Sequence, residues 1–384
     1  MEENNLFTSE SVSEGHPDKI CDTIADSILD YCLSVDPNSR VACEVFVTTN
    51  YCLIGGEITS LAKPDYDKIA RDVIREIGYT KPEYGFDADT VKIDVKVKEQ
   101  SPNIAQGVDI GGAGDQGIMF GYATNETKGY MPLAISIAHK LVRTATTLRK
   151  SGEFKSARPD MKSQVTIDYA DSKNPKVVTV LMSIQHDPDY NEKEFKDYIV
   201  NSIMKPVVKS FGVNDDFNVL INPTGTFVIG GPDGDTGVTG RKIIVDTYGG
   251  ASRHGGGAFS GKDPTKVDRS ATYYARYIAK NLVAAGVADR LEIQVGYAIG
   301  KAEPVSLGVF TFGTAHYSDD VILHIIHTLF DLKPNSIIKA FSLKNPSFKY
   351  HDFTSYGHFG RQDLNLPWEK LDKVDQIKEM LKNA

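Results

Sequence analysis

The sequence predicts an α+β fold built from three similar units. Each third of the 384-residue chain shows the element order β-α-β-β-α-β, which is that of the split βαβ motif. A motif that recurs along a chain indicates internal symmetry, here pseudo-threefold symmetry. Helices grouped on one face of each sheet give the α+β class. We place the units at residues 1–101, 112–225 and 226–384.

The first unit shows the strand and helix periodicities that define the elements. A short strand over Leu6–Ser11 precedes a helix over Pro17–Leu33, whose apolar residues recur at helical spacing. Two strands follow between Arg40 and Thr59, and then a helix over Asp65–Ile77. The closing strand alternates valine or isoleucine with charged residues from Val91 to Lys98, as a half-buried strand does.

The other two units repeat this order. In the second unit we expect strands at 118–123, 164–169, 177–185 and 217–221, and helices at 133–150 and 192–209. In the third unit we expect strands at 242–247, 291–298 and 306–312, and helices at 264–285, 319–330 and 368–381.

Composition excludes several classes of protein. Hydrophobic residues make up 41% and charged residues 24%, which fits a globular chain. The net charge of −8 argues against a nucleic-acid partner, which would favour a basic excess. No apolar run is long enough to span a bilayer, so we expect no membrane partner. The polar, acidic start Met1–Asn5 does not resemble a signal peptide, which favours the cytoplasm.

The four cysteines are expected to be small buried residues. Cys21, Cys32, Cys43 and Cys52 form no C-x-x-C pair and have no zinc-type spacing with histidine. So few cysteines in a chain of this length indicate a reducing compartment. Burial on helix and strand faces is therefore favoured over a redox role.

A glycine-rich segment between Gly255 and Asp268 is the strongest candidate for a binding site. Gly256, Gly261 and Lys262 match the phosphate-loop spacing G-x-x-x-x-G-K, but Asp263 stands where Ser or Thr is required. Glycines let backbone N–H groups approach phosphate oxygens, and lysine supplies positive charge. Asp263 and Pro264 suit the cap and first residue of the helix that follows. The alternative is a glycine-rich turn with a solvated charge cluster.

Carboxylates beside a polyphosphate would hold Mg²⁺. Asp18 and Asp268 are candidates because both lie where a helix begins, although acids are common there for the helix dipole alone. Glu44 and Glu57 stand among apolar strand residues, so each indicates an ion or an ammonium group unless its side chain faces outwards. On composition alone, His16 is a helix cap.

No side chain stands out as a nucleophile. The sequence contains no G-x-S-x-G motif, and no cysteine or histidine has motif support for covalent catalysis. We therefore expect catalysis by positioning and electrostatics, with the attacking atom on a substrate.

Several long motifs resemble those of the methionine adenosyltransferase (S-adenosylmethionine synthase) family. They are Phe7–Lys19 (FTSESVSEGHPDK), Gly112–Gly117 with Met119–Tyr122 (GAGDQG, MFGY), Arg158–Ser163 (RPDMKS), Gly240–Gly250 (GRKIIVDTYGG) and Gly255–Ser260 with Lys262 and Asp263 (GGGAFS, KD). They occur in the family's order between Leu6 and Trp368. The resemblance implies three α+β units, and a reaction in which the methionine sulfur displaces triphosphate from C5′ of ATP. The triphosphate is then hydrolysed to phosphate and diphosphate.

The resemblance also implies a role for each matched residue. His16 is placed at the bridging oxygen of the scissile bond, and with Lys162, Lys242 and Lys262 it forms the catalytic set. Cations are placed on Asp18 and Asp268 (two Mg²⁺ per site) and on Glu44 (one K⁺). Further ATP contacts are implied for Asp160, Phe227, Asp235, Arg241 and Ala258. Methionine contacts are implied for Glu57, Gln100, Asp115, Asp235 and Lys266.

The sequence departs from the family pattern at two places. The stretch between Gln106 and Gly112 is shorter than the family's gating loop often is, which leaves the behaviour of the loop open. Thr226 stands where bacterial relatives often carry arginine.

The near match at Gly256–Lys262 keeps an ATP hydrolase or kinase as an alternative function, and a catalytically silent nucleotide-binding protein is another. The family resemblance implies self-association, as a dimer with shared active sites within a homotetramer.

Overall fold

The computed structural model describes residues 5–99 and 112–382 and has the predicted α+β class, with helices packed on mixed sheets. Its strands are β1 (Leu6–Val12), β2 (Arg40–Thr48), β3 (Tyr51–Thr59), β4 (Lys92–Lys98), β5 (Gly117–Thr124), β6 (Ala157–Asp168), β7 (Lys176–His186), β8 (Asn218–Ile221), β9 (Gly237–Val238), β10 (Arg290–Tyr297) and β11 (Ser306–Phe310).

The helices separate or flank these strands. They are α1 (Pro17–Val35), α2 (Tyr66–Ile77), α3 (Leu133–Lys150), α4 (Glu192–Tyr198), α5 (Lys205–Lys209), α6 (Ile243–Asp246), α7 (Val267–Ala284), α8 (Asp319–Leu329), α9 (Pro334–Phe341) and α10 (Val374–Leu381). A π-helical turn over Ile199–Met204 joins α4 to α5. Short 3-10 turns lie at Pro82–Tyr84, Gly231–Asp233, Tyr350–Phe353 and Pro367–Glu369.

The strands form three sheets that exchange strands between the thirds of the chain. The strand orders are β4-β3-β2-β9, β1-β6-β7-β8 and β11-β10-β5. In each sheet one edge strand, β9, β1 or β5, comes from a different third than its neighbours. The predicted order of elements is therefore largely present, but the predicted units do not pair only within themselves. This exchange brings loops from distant parts of the sequence together at the sheet edges.

The predicted strand at 242–247 is wrong, because the segment forms the single helical turn α6. A short apolar run such as Ile243–Val245 has no periodicity that separates a strand from a helical turn. The edge of the first sheet is occupied instead by β9, whose Gly237 pairs with Val47 of β2. A side chain at Gly237 would lie 2.2 Å from the carbonyl oxygen of Pro17, so this edge admits only a glycine.

Two other helix boundaries differ from the prediction. Helix α7 begins at Val267, three residues after Pro264, and Asp263 is not its cap. The buried Asp263 carboxylate instead accepts the N–H groups of Val41 and Thr265. The helix predicted over 368–381 is divided into a 3-10 turn at Pro367–Glu369 and α10.

Two hydrophobic clusters organise the interior. The larger one joins α1 and α7 to the first and third sheets, and almost every residue of α7 is buried. The smaller one lies between α3, the second sheet and α4. Gly121 of β5 touches α7, since an added Cβ would lie 2.0 Å from the backbone carbon of Ala275. Helix α7 therefore lies directly against the third sheet at this point.

Two expectations from composition have structural counterparts. All four cysteines are buried and unpaired, as predicted. Within residues 5–99 and 112–382, no helix combines the length and apolar character needed to cross a membrane.

Candidate active site

His16 caps the N-terminus of α1 and is almost completely buried. Its Nδ1 accepts the N–H of Asp18 at 3.1 Å. Burial, together with the positive charges of Lys242 and Lys162, lowers the pKa of His16 to about 3. The imidazole is therefore neutral near pH 7, and because Nδ1 is an acceptor, the proton lies on Nε2. His16 can thus donate one hydrogen bond from Nε2 without carrying a charge.

Asp18 ties the first turn of α1 to the loop that follows β9. Its carboxylate accepts the N–H of Val238 at 2.9 Å and the ammonium group of Lys242 at 2.6 Å. Arg241 lies 3.9 Å away and is largely exposed. Burial would raise the pKa of Asp18, but the bonds from Lys242 and Val238 hold it below its usual value. Asp18 is therefore an anion at neutral pH, between two cations.

Asp160 on β6 is a buried carboxylate with one unused oxygen. Oδ2 accepts the N–H of Gly231 at 2.9 Å, whereas Oδ1 has no hydrogen-bond partner in the described part of the chain. Burial raises the pKa of Asp160 to about 6, although the nearby Lys162 opposes the rise. A buried acceptor without a partner is unfavourable, so it suits a ligand that brings a hydroxyl donor.

Phe227 and Asp235 flank the same turn. The Phe227 backbone is held by its N–H bond to His186 Nε2 at 3.0 Å, and its ring packs closely on Gly230. Asp235 is exposed at the end of the 3-10 turn Gly231–Asp233, where its N–H donates to the carbonyl of Gly231. Thr226 is exposed beside Phe227. These residues could form one side of a nucleoside pocket over Asp160.

The glycine-rich loop forms a second group of charged residues. Lys262 pairs through its ammonium group with Asp268 at 2.7 Å, and its backbone bridges to Ala42 of β2. Glu44 on β2 is exposed, so its side chain faces outwards. Desolvation by the surrounding atoms raises its pKa, the nearby carboxylates of Asp22 and Glu57 add to the rise, and Lys262 opposes it. The excess of carboxylates around Glu44 therefore favours a cation at this position.

The predicted site residues thus fall into two groups. The first contains His16, Asp18, Asp160, Lys162, Arg241 and Lys242. The second contains Glu44, Lys262 and Asp268. No ion pair among the described residues joins the first group to the second. The two groups adjoin where Gly240 packs on Ala258. A Cβ added to Gly240 would lie only 2.5 Å from the Cβ of Ala258.

Among the described residues, no hydrogen bond or ion pair joins the residues predicted to bind methionine to one another. Glu57 lies 3.4 Å from Lys98, and Lys266 is paired with Asp263 at 2.6 Å. Asp115 is exposed and accepts the N–H of Gln116. Gln100 lies outside the described residues, as does most of the short loop between Gln106 and Gly112. Their assignment to methionine therefore stays a prediction.

The sequence interpretation missed two buried aspartates on α1. Asp22 accepts the N–H of Gly240 at 2.8 Å, and Asp26 accepts the N–H of Gly261 at 2.8 Å. A signal was present, because Asp18, Asp22 and Asp26 recur every fourth residue and share one helix face. On a largely buried helix, such a row of carboxylates requires partners from other segments.

The carboxylates fit cations that arrive with a polyphosphate better than a closed protein cage. Among the described residues, no three His, Cys, Asp or Glu side chains are grouped as a metal site. Asp18 and Asp268 each provide a single carboxylate beside a lysine. Mg²⁺ is commonly held by one or two carboxylates together with substrate phosphates and water. The donor set is therefore suited to Mg²⁺ bound to a nucleotide.

Comparison with known proteins relates the chain to one family over almost its whole length. Family models for the N-terminal, central and C-terminal domains of S-adenosylmethionine synthetase match residues 4–102, 110–227 and 229–370. An S-adenosylmethionine synthase of Mesoplasma florum is 64% identical over 378 residues, which cover 97% of this chain and 99% of the relative.

More distant relatives carry the same name. The identity is 63% for an S-adenosylmethionine synthase of Mycoplasma capricolum, with 99% of this chain and 98% of the relative covered. It is 54% for one of Clostridium tetani, with 98% and 99% covered. The chain belongs to the S-adenosylmethionine synthetase family.

Proposed function

We propose that this chain forms S-adenosyl-L-methionine from ATP and L-methionine in a single displacement step. A lone pair of the methionine sulfur forms the S–C5′ bond, and the C5′–O bond breaks with its electron pair going to the departing triphosphate. The product is a sulfonium ion. The observation that supports this step is the neutral His16, a buried N–H donor beside the cations of Lys162 and Lys242.

The side chains of the first group match what this reaction requires. Thioether sulfur is nucleophilic without losing a proton, so the site needs no general base. The barrier lies in the negative charge that develops on the leaving oxygen, and fixed donors aimed at that charge stabilise the transition state. His16 donates from Nε2 to this oxygen, and Lys162, Arg241 and Lys242 bind the phosphates that follow it.

Asp160 and Phe227 hold the nucleoside. The unpaired Oδ1 of Asp160 accepts a ribose hydroxyl, and the Phe227 ring packs against the adenine. Ala258 and Asp235 complete this side. The methionine contacts are assigned to Glu57, Gln100, Asp115, Asp235 and Lys266. The carboxylates in this set suit the ammonium group of methionine, and Lys266 suits its carboxylate.

Two Mg²⁺ and one K⁺ are assigned to the carboxylates. Asp18 and Asp268 hold Mg²⁺ together with the phosphates, and Glu44 holds K⁺. When bound, these cations neutralise charge on the polyphosphate oxygens. Lys242 and Lys262, each now paired with one of the two aspartates, turn to phosphate oxygens when the nucleotide enters. The triphosphate is then hydrolysed to phosphate and diphosphate before release.

The assembly we propose is a dimer with shared active sites, within a homotetramer. Its support is the membership of the S-adenosylmethionine synthetase family, since the motif resemblance implies active sites shared between subunits. The three domains at 1–101, 112–225 and 226–384 are related by pseudo-threefold symmetry in this proposal, and the cyclic exchange of edge strands supports it. The buried free cysteines suit the cytoplasm.

A direct assay tests the proposed reaction. The purified chain is incubated with ATP, Mg²⁺, K⁺ and L-methionine, and the sulfonium product is separated from ATP and quantified. We expect one product per ATP consumed, and a lower rate when Na⁺ replaces K⁺. ATP consumption without a sulfonium product would favour the hydrolase or kinase, although Asp263 in place of Ser or Thr weighs against both. Equal rates in Na⁺ and K⁺ would contradict the Glu44 site.

A further inference from the structure

The buried face of α1 carries a row of four aspartates that bind loops from the last third of the chain. Asp18, Asp22, Asp26 and Asp30 are spaced by four residues, so they lie along one side of the helix. Each accepts at least one backbone N–H, at distances of 2.8–3.0 Å. Hydrogen bonds from backbone N–H to a carboxylate are stronger than those to a neutral oxygen. The row therefore fixes the backbone of several loops against one rigid helix.

The middle two aspartates hold the residues just before the assigned phosphate-binding cations. Asp22 binds the N–H of Gly240, which precedes Arg241 and Lys242. Asp26 binds the N–H of Gly261, which directly precedes Lys262. The same Asp26 carboxylate forms two bonds of 2.7 Å with Arg269.

Both glycines are confined to one backbone conformation. Gly240 has φ +76° and Gly261 has φ +79°, in the left-handed region. A Cβ at Gly261 would lie 2.0 Å from the carbonyl oxygen of Cys43. Each glycine is thus held between an aspartate on one side and a closely packed neighbour on the other.

We propose that Asp22 and Asp26 are positioning residues, which orient Lys242 and Lys262 towards the polyphosphate by fixing the loops that carry them. The proposal rests on the proposed function, since it takes from it the role of these lysines. A misplacement of about 1 Å at a charged group can cost on the order of a hundredfold in rate. Neither aspartate needs to touch substrate to have such an effect.

Asp22→Asn is the most informative substitution because it leaves no buried charge unpaired. Lys19 lies between Asp22 and Asp246, so this buried cluster has two carboxylates and one ammonium group. Burial and the neighbouring Asp22 raise the pKa of Asp246 to about 7, even though Lys19 opposes the rise. Removal of the Asp22 charge leaves Lys19 and Asp246 as an ion pair with no net charge, and we therefore expect the variant to fold.

The matched control is Asp30→Asn. Asp30 is on the same helix face and accepts the N–H groups of Tyr350 and His351 at 2.8 and 3.0 Å. The segment it holds contains no assigned site residue. The control therefore removes the same charge and one acceptor oxygen from the same helix without affecting a phosphate-binding lysine.

The experiment measures both variants alone and combined with Lys242→Ala. For Asp22→Asn we expect kcat/KM for ATP to fall roughly tenfold or more, with KM for methionine changed less than about twofold. In the Lys242→Ala background the same substitution should change kcat/KM by less than about twofold, because its effect passes through Lys242. Asp30→Asn should leave all these constants within about twofold.

Other outcomes would overturn the inference. An equal loss in both backgrounds, or equal effects of the Asp22 and Asp30 substitutions, would assign Asp22 to stability alone. If the unmodified chain forms no sulfonium product, the proposed function fails, and calorimetric binding of Mg²⁺-tripolyphosphate then replaces the kinetics with the same comparison of variants. If Asp22→Asn does not fold, Gly240→Ala takes its place, because its added Cβ would clash with Ala258 and push the same loop away from it. Additivity with Lys242→Ala would again contradict the inference.

Discussion

Asp263 accounts for the incomplete match of the glycine-rich loop to a phosphate loop. A true phosphate loop has a hydroxyl at this position for Mg²⁺ and leads directly into a helix. Here the buried Asp263 carboxylate binds the N–H groups of Val41 and Thr265 and the ammonium group of Lys266. It joins the loop to β2, and α7 begins only at Val267. Lys262 therefore extends from a loop that is hydrogen-bonded to β2.

Lys262→Ala should remove much of the activity and little of the stability. We expect kcat to fall by roughly a hundredfold or more, because one cation aimed at developing phosphate charge is lost. Its ion pair with Asp268 is partly exposed, so the free energy of unfolding should change by less than about 1 kcal/mol. Sulfonium formation and urea denaturation measure the two quantities.

The control for this prediction is Lys193→Ala on α4. Lys193 pairs with Asp197 at 2.6 Å in an exposed position that contains no assigned site residue. Both the rate and the stability of the control should match those of the unmodified chain. Near-normal turnover of Lys262→Ala would contradict the role assigned to this lysine.

At the scale of elements, α3 is joined to β1 by a buried histidine. His139 Nδ1 forms a hydrogen bond of 2.7 Å with the hydroxyl of Ser11. Burial, with the charges of Arg361 and Lys19, lowers the pKa of His139 to about 3. This contact between the helix and the second sheet therefore favours the neutral imidazole.

Acidification should weaken the folded state through His139. The unfolded chain gains a proton at His139 near pH 6.5, whereas the folded chain gains it only near pH 3. Stability contributed by the neutral ring is thus complete above pH 6.5 and is lost as the pH falls towards 3. Between pH 7.5 and pH 5 this amounts to about 2 kcal/mol.

His139→Gln should therefore reduce the pH dependence of stability. We expect the difference in the free energy of unfolding between pH 7.5 and pH 5 to shrink by about 2 kcal/mol, as measured by urea denaturation. The exposed His316→Gln serves as the control and should keep the full difference. An unchanged pH dependence in His139→Gln would contradict the prediction, because it would mean that the ring has the same pKa in the folded and the unfolded chain.

At the scale of the whole molecule, the C-terminal segment closes the core against α7. Trp368 is completely buried and stacks on Tyr273 with ring centroids 4.1 Å apart. Next to it, Glu369 accepts bonds from the buried Arg276 and Lys280 and from the N–H of Gly360. Burial would raise the pKa of Glu369, but these two cations hold it below its usual value. One carboxylate is therefore the counter-charge shared by two buried cations of α7.

Glu369→Gln should destabilise the protein strongly. The substitution leaves two buried cations without a counter-charge, which costs about 3 kcal/mol or more. Urea denaturation measures the loss, with Glu379→Gln on the exposed face of α10 as the control, which should change stability by less than about 0.5 kcal/mol. Equal stability of the two variants would mean that water or another group compensates Arg276 and Lys280.

The sequence by itself determined the local elements and the family. Helices such as 133–150 are set by apolar residues at helical spacing, and the long motifs from Phe7 to Lys262 lie in the order typical of one family. The family models and the relatives confirm that membership. The positions of α1, α3 and α7 could be predicted because the pattern repeats within a few turns of chain.

Only the tertiary structure decided which distant segments meet. No local pattern marks 242–247 as a helical turn. Long-range contacts decide its conformation, because Gly237 and Val238 occupy the edge of the first sheet and Lys19 binds the carboxylate of Asp246. The same holds for the pairing of β1, β5 and β9 with sheets from other thirds of the chain. The backbone N–H groups that Asp22 and Asp26 bind lie more than two hundred residues away. Such bonds depend on how the whole chain packs, because hydrogen bonding between distant segments leaves no periodic pattern in either one.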